Sequence, residues 1–293
     1  LLAMRVFAIV GFVLAYLGCD ALMGERGRAL KETGRFQAIQ IGSLYLCLAA
    51  TGLGGGWLSA NASPRAVFAL AAVAPALALW FCLRMPPDDG LAAPGAGLAG
   101  LRALAGDKGA WAAAASIILW SFSPALGTAQ FYFQAQELKL DPVLIGGLSS
   151  LAGLAGACGA AVYHRARGHG VTLERALRWA VPGGAALALL QIACVGSWSS
   201  VVVTIVVGGV GVFFRLALME LAASRCPESA EAAAFAAFMS VFNLAAWSSN
   251  ELGGTVYARL GGETAWVALA CLGALAVSLA WPIVGVALRP RRS

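Results

Sequence analysis

The feature that most constrains this chain is the recurrence of long apolar runs from one end to the other. Runs of about 18 residues or more can cross the roughly 30 Å hydrocarbon core of a bilayer as helices. They fall near residues 2–22, 36–59, 66–83, 111–135, 143–163, 177–197, 199–222, 232–257 and 264–288. Only 12% of the 293 residues are charged and 60% are hydrophobic, against about a quarter charged in a soluble domain. The short alternating strands of a membrane barrel are absent. The expected fold class is an all-α polytopic membrane protein with nine transmembrane helices.

Nine spans put the two ends on opposite sides, and positive charge decides which. With a cytoplasmic C-terminus, fifteen of the twenty Lys and Arg fall inside and four, Arg5, Arg65, Lys139 and Arg259, fall outside. Arg215 is intramembrane. The net charge of +6 is thus a signature of topology and implies no nucleic-acid partner; the partners expected are the lipid bilayer and a small solute. The seven cysteines form no CxxC pair and mostly lie in apolar runs, so they read as small buried hydrophobes. His164 and His169 read as solvated loop residues and not as a metal face. No phosphate loop, GxSxG elbow or HExxH occurs. Neither a catalytic residue, a metal nor a cofactor is expected. Residues 1–19 lack a following small-residue cleavage site and do not read as a signal peptide.

The informative residues are the polar ones inside the spans. Arg215 lies on one helical face with Gly208, Gly211, Met219 and Ala222, and Glu220 follows about one turn later. A glycine strip beside a lone cation is either the wall of an anion site or a close helix seam sheltering the charge. In the fourth span Ser116, Trp120, Ser123, Gly127, Gln130 and Gln134 form one stripe, which should face a cavity because lipid offers no hydrogen bonds. Pro124 breaks the backbone ladder midway. In the eighth span Ser240, Asn243, Trp247, Asn250 and Glu251 form a second stripe. Glu251 is either a proton carrier or a structural hydrogen-bond acceptor. Gly146, Ser149, Gly153, Gly156 and Ala160 make a small-residue seam, and Gln40, Ser43, Cys47 and Gly54 share a face of the second span. Asp20 closes the first span before Glu25 and Arg28; it is either a proton-carrying acid or an interfacial salt-bridge partner.

Arg225-Cys226-Pro227, Glu231, Phe235-Ala236, Met239-Ser240 and Asn243 resemble the loop and eleventh helix of the folate–biopterin transporter family, a branch of the major facilitator superfamily. Residues 121–146 resemble that family's seventh helix, and Asp20, Glu25, Arg28 and Gln37 loosely match its fourth and fifth helices. Gly159 to Arg165 resembles a worn copy of the superfamily's cytoplasmic loop motif, with Tyr163-His164 in place of its acidic residue. The resemblance implies a major-facilitator bundle in which the nine spans are equivalent to helices 4–12 of twelve. On that alignment residues 1–83 are a three-helix remnant of the N-terminal bundle, 84–110 a cytoplasmic linker, and 111–293 a complete six-helix C-terminal bundle.

The implied activity is secondary transport of a folate- or pteridine-like solute by alternating access with proton coupling. Arg215 would attract the solute's anionic group. Ser123, Gln130, Gln134 and Asn243 would hydrogen-bond its ring, and Trp120 or Trp247 would stack on it. Asp20, Glu220 or Glu251 would carry the proton, with Glu25 and Arg28 as gate residues. The family occurs in plasma and plastid membranes. A carrier of another small solute (a sugar, an amino acid or an organic anion) or a transport-inactive scaffold subunit are the alternatives to this reading.

Overall fold

The computed structural model describes residues 33–84, 101–102, 104–227 and 231–288, with isolated positions before residue 20. Among the described residues the regular elements are helices, with no strand. They are α1 (Thr33–Asn61), α2 (Pro64–Ala71), α3 (Val73–Leu83), α4 (Lys108–Ser121), α5 (Thr128–Tyr132), α6 (Pro142–Gly168), α7 (Leu173–Leu190), α8 (Ser197–Arg225), α9 (Glu231–Leu260) and α10 (Gly262–Ala287). A π turn, Phe133–Glu137, extends α5, and a 3-10 turn, Gln191–Ala193, extends α7. Eight of the nine expected spans have helical counterparts here, and the first lies mostly outside the described residues. Five stretches, Arg65–Leu83, Pro142–Gly168, Leu173–Ala193, Ser197–Arg225 and Gly262–Ala287, are long and apolar enough to cross a membrane. The chain is an all-α polytopic membrane protein.

The helices start where short polar side chains can cap them. Ser63 accepts from the Ala66 N–H ahead of α2, Asp107 from Gly109 ahead of α4, Asp141 from Val143 ahead of α6, and Thr172 from Arg175 ahead of α7. Each satisfies one amide that the first turn leaves without a helical partner. Pro64 and Pro142 occupy the first helical positions, where no N–H is needed.

The fourth expected span is not one continuous helix. It stops at Ser121 and resumes at Thr128. Pro124 has no N–H to give the ladder, and Gly127 turns the chain with φ 77°, a left-handed conformation that side chains other than glycine's resist. The π turn then shifts the phase of the residues beyond Tyr132. The single stripe from Ser116 to Gln134 is therefore divided, and its far end points elsewhere than its start.

Packing around α6 places the rest. A Cβ on Gly153 would stand 2.8 Å from the Tyr45 carbonyl, one on Gly156 would meet the Tyr45 ring at 2.8 Å, and one on Gly159 would overlap the Gly209 carbonyl. Backbone thus lies on backbone between α6 and both α1 and α8. The seam runs through Gly153, Gly156 and Ala160 as expected, but Ser149 is exposed and Gly146 meets nothing. On α1 the inward face is Ile41, Tyr45, Ala49 and Gly52, while Ser43 and Cys47 are exposed. Of the face expected to hold Gln40, Ser43, Cys47 and Gly54, Ser43 and Cys47 are therefore corrected: the Tyr45 ring and the small residues in line with it meet the α6 glycines instead. α8 also packs on α7 and α4, and α10 on α4 and α7.

Gly159→Val tests the seam. It should cost about 1–3 kcal/mol by overpacking and lower the melting temperature of the purified protein by several degrees, whereas Gly146→Ala, with open space around it, should leave melting unchanged or slightly raised. Differential scanning fluorimetry in detergent measures both.

Candidate functional site

A cavity of about 380 Å³ opens between α1, the broken α4–α5 segment, α7, α8, α9 and α10. Most of its wall is apolar. Its polar lining comes from Tyr45, Ser121, Ser123, Gln130, Gln191, Thr204 and Arg215. The chamber exists at this level because α4 ends at Ser121, so residues 122–127 cross the bundle as irregular chain. Asn250 of α9 holds that crossing: its Oδ1 accepts the Thr128 N–H at 2.8 Å, the first amide of α5. The Gly253 position lets the Pro124 carbonyl lie directly on α9, where a Cβ would collide with it.

Arg215 is the cation of the chamber. Its Nη1 donates to the Tyr45 hydroxyl at 3.2 Å, and its guanidinium lies 4.2 Å from the centre of the Phe242 ring. Its Nε is buried with no hydrogen-bond partner. Gly211 and Gly208, one and two turns away, also line the cavity, and Gly208 in addition packs on Ala152 and Ala155 of α6. The two roles foreseen for this strip, cavity wall and helix seam, are both occupied. Tyr45 and Arg215 join α1 to α8 in the wall of the site.

Of the other expected residues, Trp120, Ser123 and Gln130 line the same cavity. Trp120 Nε1 donates to the Ala180 carbonyl at 3.4 Å, which fixes the indole beside Gly184. Gln134 is buried but does not line the cavity, because the π turn rotates it away. Asn243 and Glu251 are exposed, as is Trp247 at 62%. The stripe on α9 therefore faces outward, because its opposite face, Phe238, Phe242, Ala245 and Ser249, carries the packing. Only Asn250 of that stripe reaches into the bundle.

Glu220 sits apart from Arg215. Its Oε2 accepts from the Tyr163 hydroxyl at 2.5 Å and from Arg167 Nε at 3.1 Å, and Arg167 Nη2 meets Oε1 at 2.5 Å. This network ties the last turns of α6 to α8, and Arg167 also donates to the Val171 carbonyl. Asp20, Glu25 and Arg28 lie outside the described residues, and the side chain of Gln37 does too. No group of three or more metal-ligating side chains occurs among the described residues.

Two residues of weight, Tyr45 and Gln191, have no counterpart among the residues expected from the sequence, and a third, Arg225, figures there only as part of a loop motif. Tyr45 is one polar atom on an aromatic ring within an apolar helix. Gln191 is a lone amide after an apolar run, without the periodic partners that draw notice to a stripe. Arg225 counts as a loop residue by position, yet is only 7% exposed. Its Nη2 donates to the Ala287 carbonyl at the end of α10, and its Nη1 lies against Gly109 at the start of α4. Arg225 thus gathers three helix ends at one point.

No protein-family model matches the sequence. A folate-biopterin transporter of Synechocystis is 26% identical over 259 residues, covering 83% of this chain. The chain resembles the folate–biopterin transporters along most of its length. It spans about half, 52%, of the length of that curated relative. The likeness bears out the family resemblance seen in the sequence.

Asn250→Ala removes the acceptor that starts α5. It should cost about 1 kcal/mol, as loss of a helix cap does, and lower the melting temperature by a few degrees. Asn250→Asp should retain most of the stability, because a carboxylate oxygen can accept the same amide. A thermal melt of both variants checks this.

Proposed function

We propose that this chain forms the solute-binding part of a secondary transporter for a folate- or pteridine-like organic anion. The observation that carries the reading is Arg215, a cation with an unpaired, buried Nε, on the wall of a mostly apolar cavity. An arginine at bilayer depth costs about 2.5–3.5 kcal/mol or more. A ring contact such as that with Phe242 returns about 0.5–2 kcal/mol, and a hydrogen bond from a charged group about 1.5–3 kcal/mol. These roughly balance the cost and leave a further donor free, which an anionic solute can take. The flat Trp120 and Phe242 rings on the same wall suit an aromatic solute. The Synechocystis relative's name points to the same solutes.

Transport is proposed to follow alternating access, with residues 111–293 as a six-helix bundle, 1–83 as part of the facing bundle and 84–110 as the cytoplasmic linker. The Tyr45–Arg215 hydrogen bond then joins the two bundles and exchanges with the solute. Glu220 or Asp20 carries the coupling proton, Glu220 by release from Arg167 and Tyr163. The fifteen-to-four charge asymmetry supports a cytoplasmic C-terminus.

The test is a thermal-shift screen of the purified protein with folic acid, 6-carboxypterin, glucose and neutral amino acids, beside uptake in proteoliposomes. Folic acid or 6-carboxypterin should raise the melting temperature of the wild type, and Arg215→Ala should abolish that shift without lowering its own melting point by more than a few degrees. Stabilisation by glucose or an amino acid alone would move the assignment to another solute. A folded protein that answers to none would leave a scaffold.

A further inference from the structure

Gln191 is buried to 1% exposure and lines the Arg215 cavity, yet its Oε1 has no hydrogen-bond partner. An unpaired carbonyl oxygen withdrawn from water is costly, and natural structures rarely keep one without a use. The position is built to hold it still. Gln191 begins the 3-10 turn after α7, and its backbone carbonyl accepts Trp266 Nε1 at 3.0 Å. Trp266 is itself stacked on Phe133, centroids 4.5 Å apart and planes within 3°. The backbone is therefore pinned at the cavity wall, and the side-chain Oε1 is left without a protein partner there.

Phe214, next to Arg215, packs on Gly183, eight residues before Gln191, so Gln191 and Arg215 sit at different levels of the cavity. It ends α7, and α8 starts six residues later and runs back alongside. Thr204, which also lines the cavity, lies in the first half of α8. Arg215 comes eleven residues further on, roughly 16 Å along the axis at 1.5 Å per residue. Its side chain leans back toward the N-terminal turns. The chamber thus has a cationic donor pole at Arg215, with the Trp120 indole at the same level, and an amide acceptor pole at Gln191, with apolar wall such as Leu187 and Val207 between.

We propose that Gln191 is a specificity residue, its Oε1 accepting an N–H from the end of the solute remote from its anionic group. This rests on the anion-site reading of Arg215 and adds a demand to it. A flat carboxylate that carries a lactam or amino N–H at its far edge binds well. One of the same shape without such a donor leaves Gln191 unpaired and binds poorly, since a site built to hydrogen-bond rejects the analogue that lacks the group.

Two probes separate the poles. 6-Carboxypterin has a carboxylate at one end and lactam and amino N–H groups at the other. Quinoxaline-2-carboxylate is a flat bicyclic carboxylate with no N–H. Calorimetric titration of the full chain in nanodiscs should give about tenfold tighter binding of the pterin, the loss expected for one buried hydrogen bond. Gln191→Met, close in volume, should weaken the pterin about tenfold, leave the quinoxaline within about twofold, and so erase the preference. Arg215→Ala should weaken both probes. Equal affinity of the wild type for the two probes, or a preference that survives Gln191→Met, overturns the role of Gln191 and leaves the anion site standing. Binding of neither probe by the folded wild type overturns the anion site and this role together.

Discussion

Close backbone contact along α6 is the constraint on which the rest depends. Helices in a bilayer gain little by hiding apolar side chains from lipid, so their association relies on dense packing and interhelical hydrogen bonds. The glycines at 153, 156 and 159 let α6 lie directly on α1 and α8. That contact fixes where Tyr45 stands relative to Arg215, and it fixes one wall of the cavity. A side chain at any of these three positions would push α1 or α8 outward and pull the tyrosine away from the guanidinium.

The second requirement is a gap, and a broken helix provides it. An unbroken span from 111 to 135 would fill the space between α7 and α9 with side chains. Instead Pro124 and Gly127 interrupt it, and Asn250 takes over the amide that the break exposes. Irregular chain at membrane depth is tolerated where it is buried in protein or borders a cavity; Pro124 and Ala125 are buried, and Ser123 and Leu126 line the cavity. The chamber can then shelter Arg215 without drying it completely. The polar groups divide into those already spoken for, such as Glu220 with Arg167 and Tyr163, and those still open, among them Arg215 Nε, Gln191 Oε1 and Ser121 Oγ. The residues that carry these three border one space.

The sequence by itself determined the class of protein, the helical spans, the break at Pro124, and the presence of Arg215 on a glycine-lined face. These are legible because hydropathy, proline chemistry and the 3.6-residue period act locally. Tertiary structure alone decided which polar stripe faces inward. Ser240, Asn243, Trp247 and Glu251 satisfy the periodicity as well as the α4–α5 stripe does, yet α9 turns its opposite face to the bundle because Phe238, Phe242 and Ala245 pack there. Period alone gives a face its identity but not its direction. The π turn that carries Gln134 off the cavity, and the meeting of Tyr45, Gln191 and Arg215 from three distant segments, likewise depend on how helices cross, since contacts between residues far apart in the chain leave no trace in local spacing.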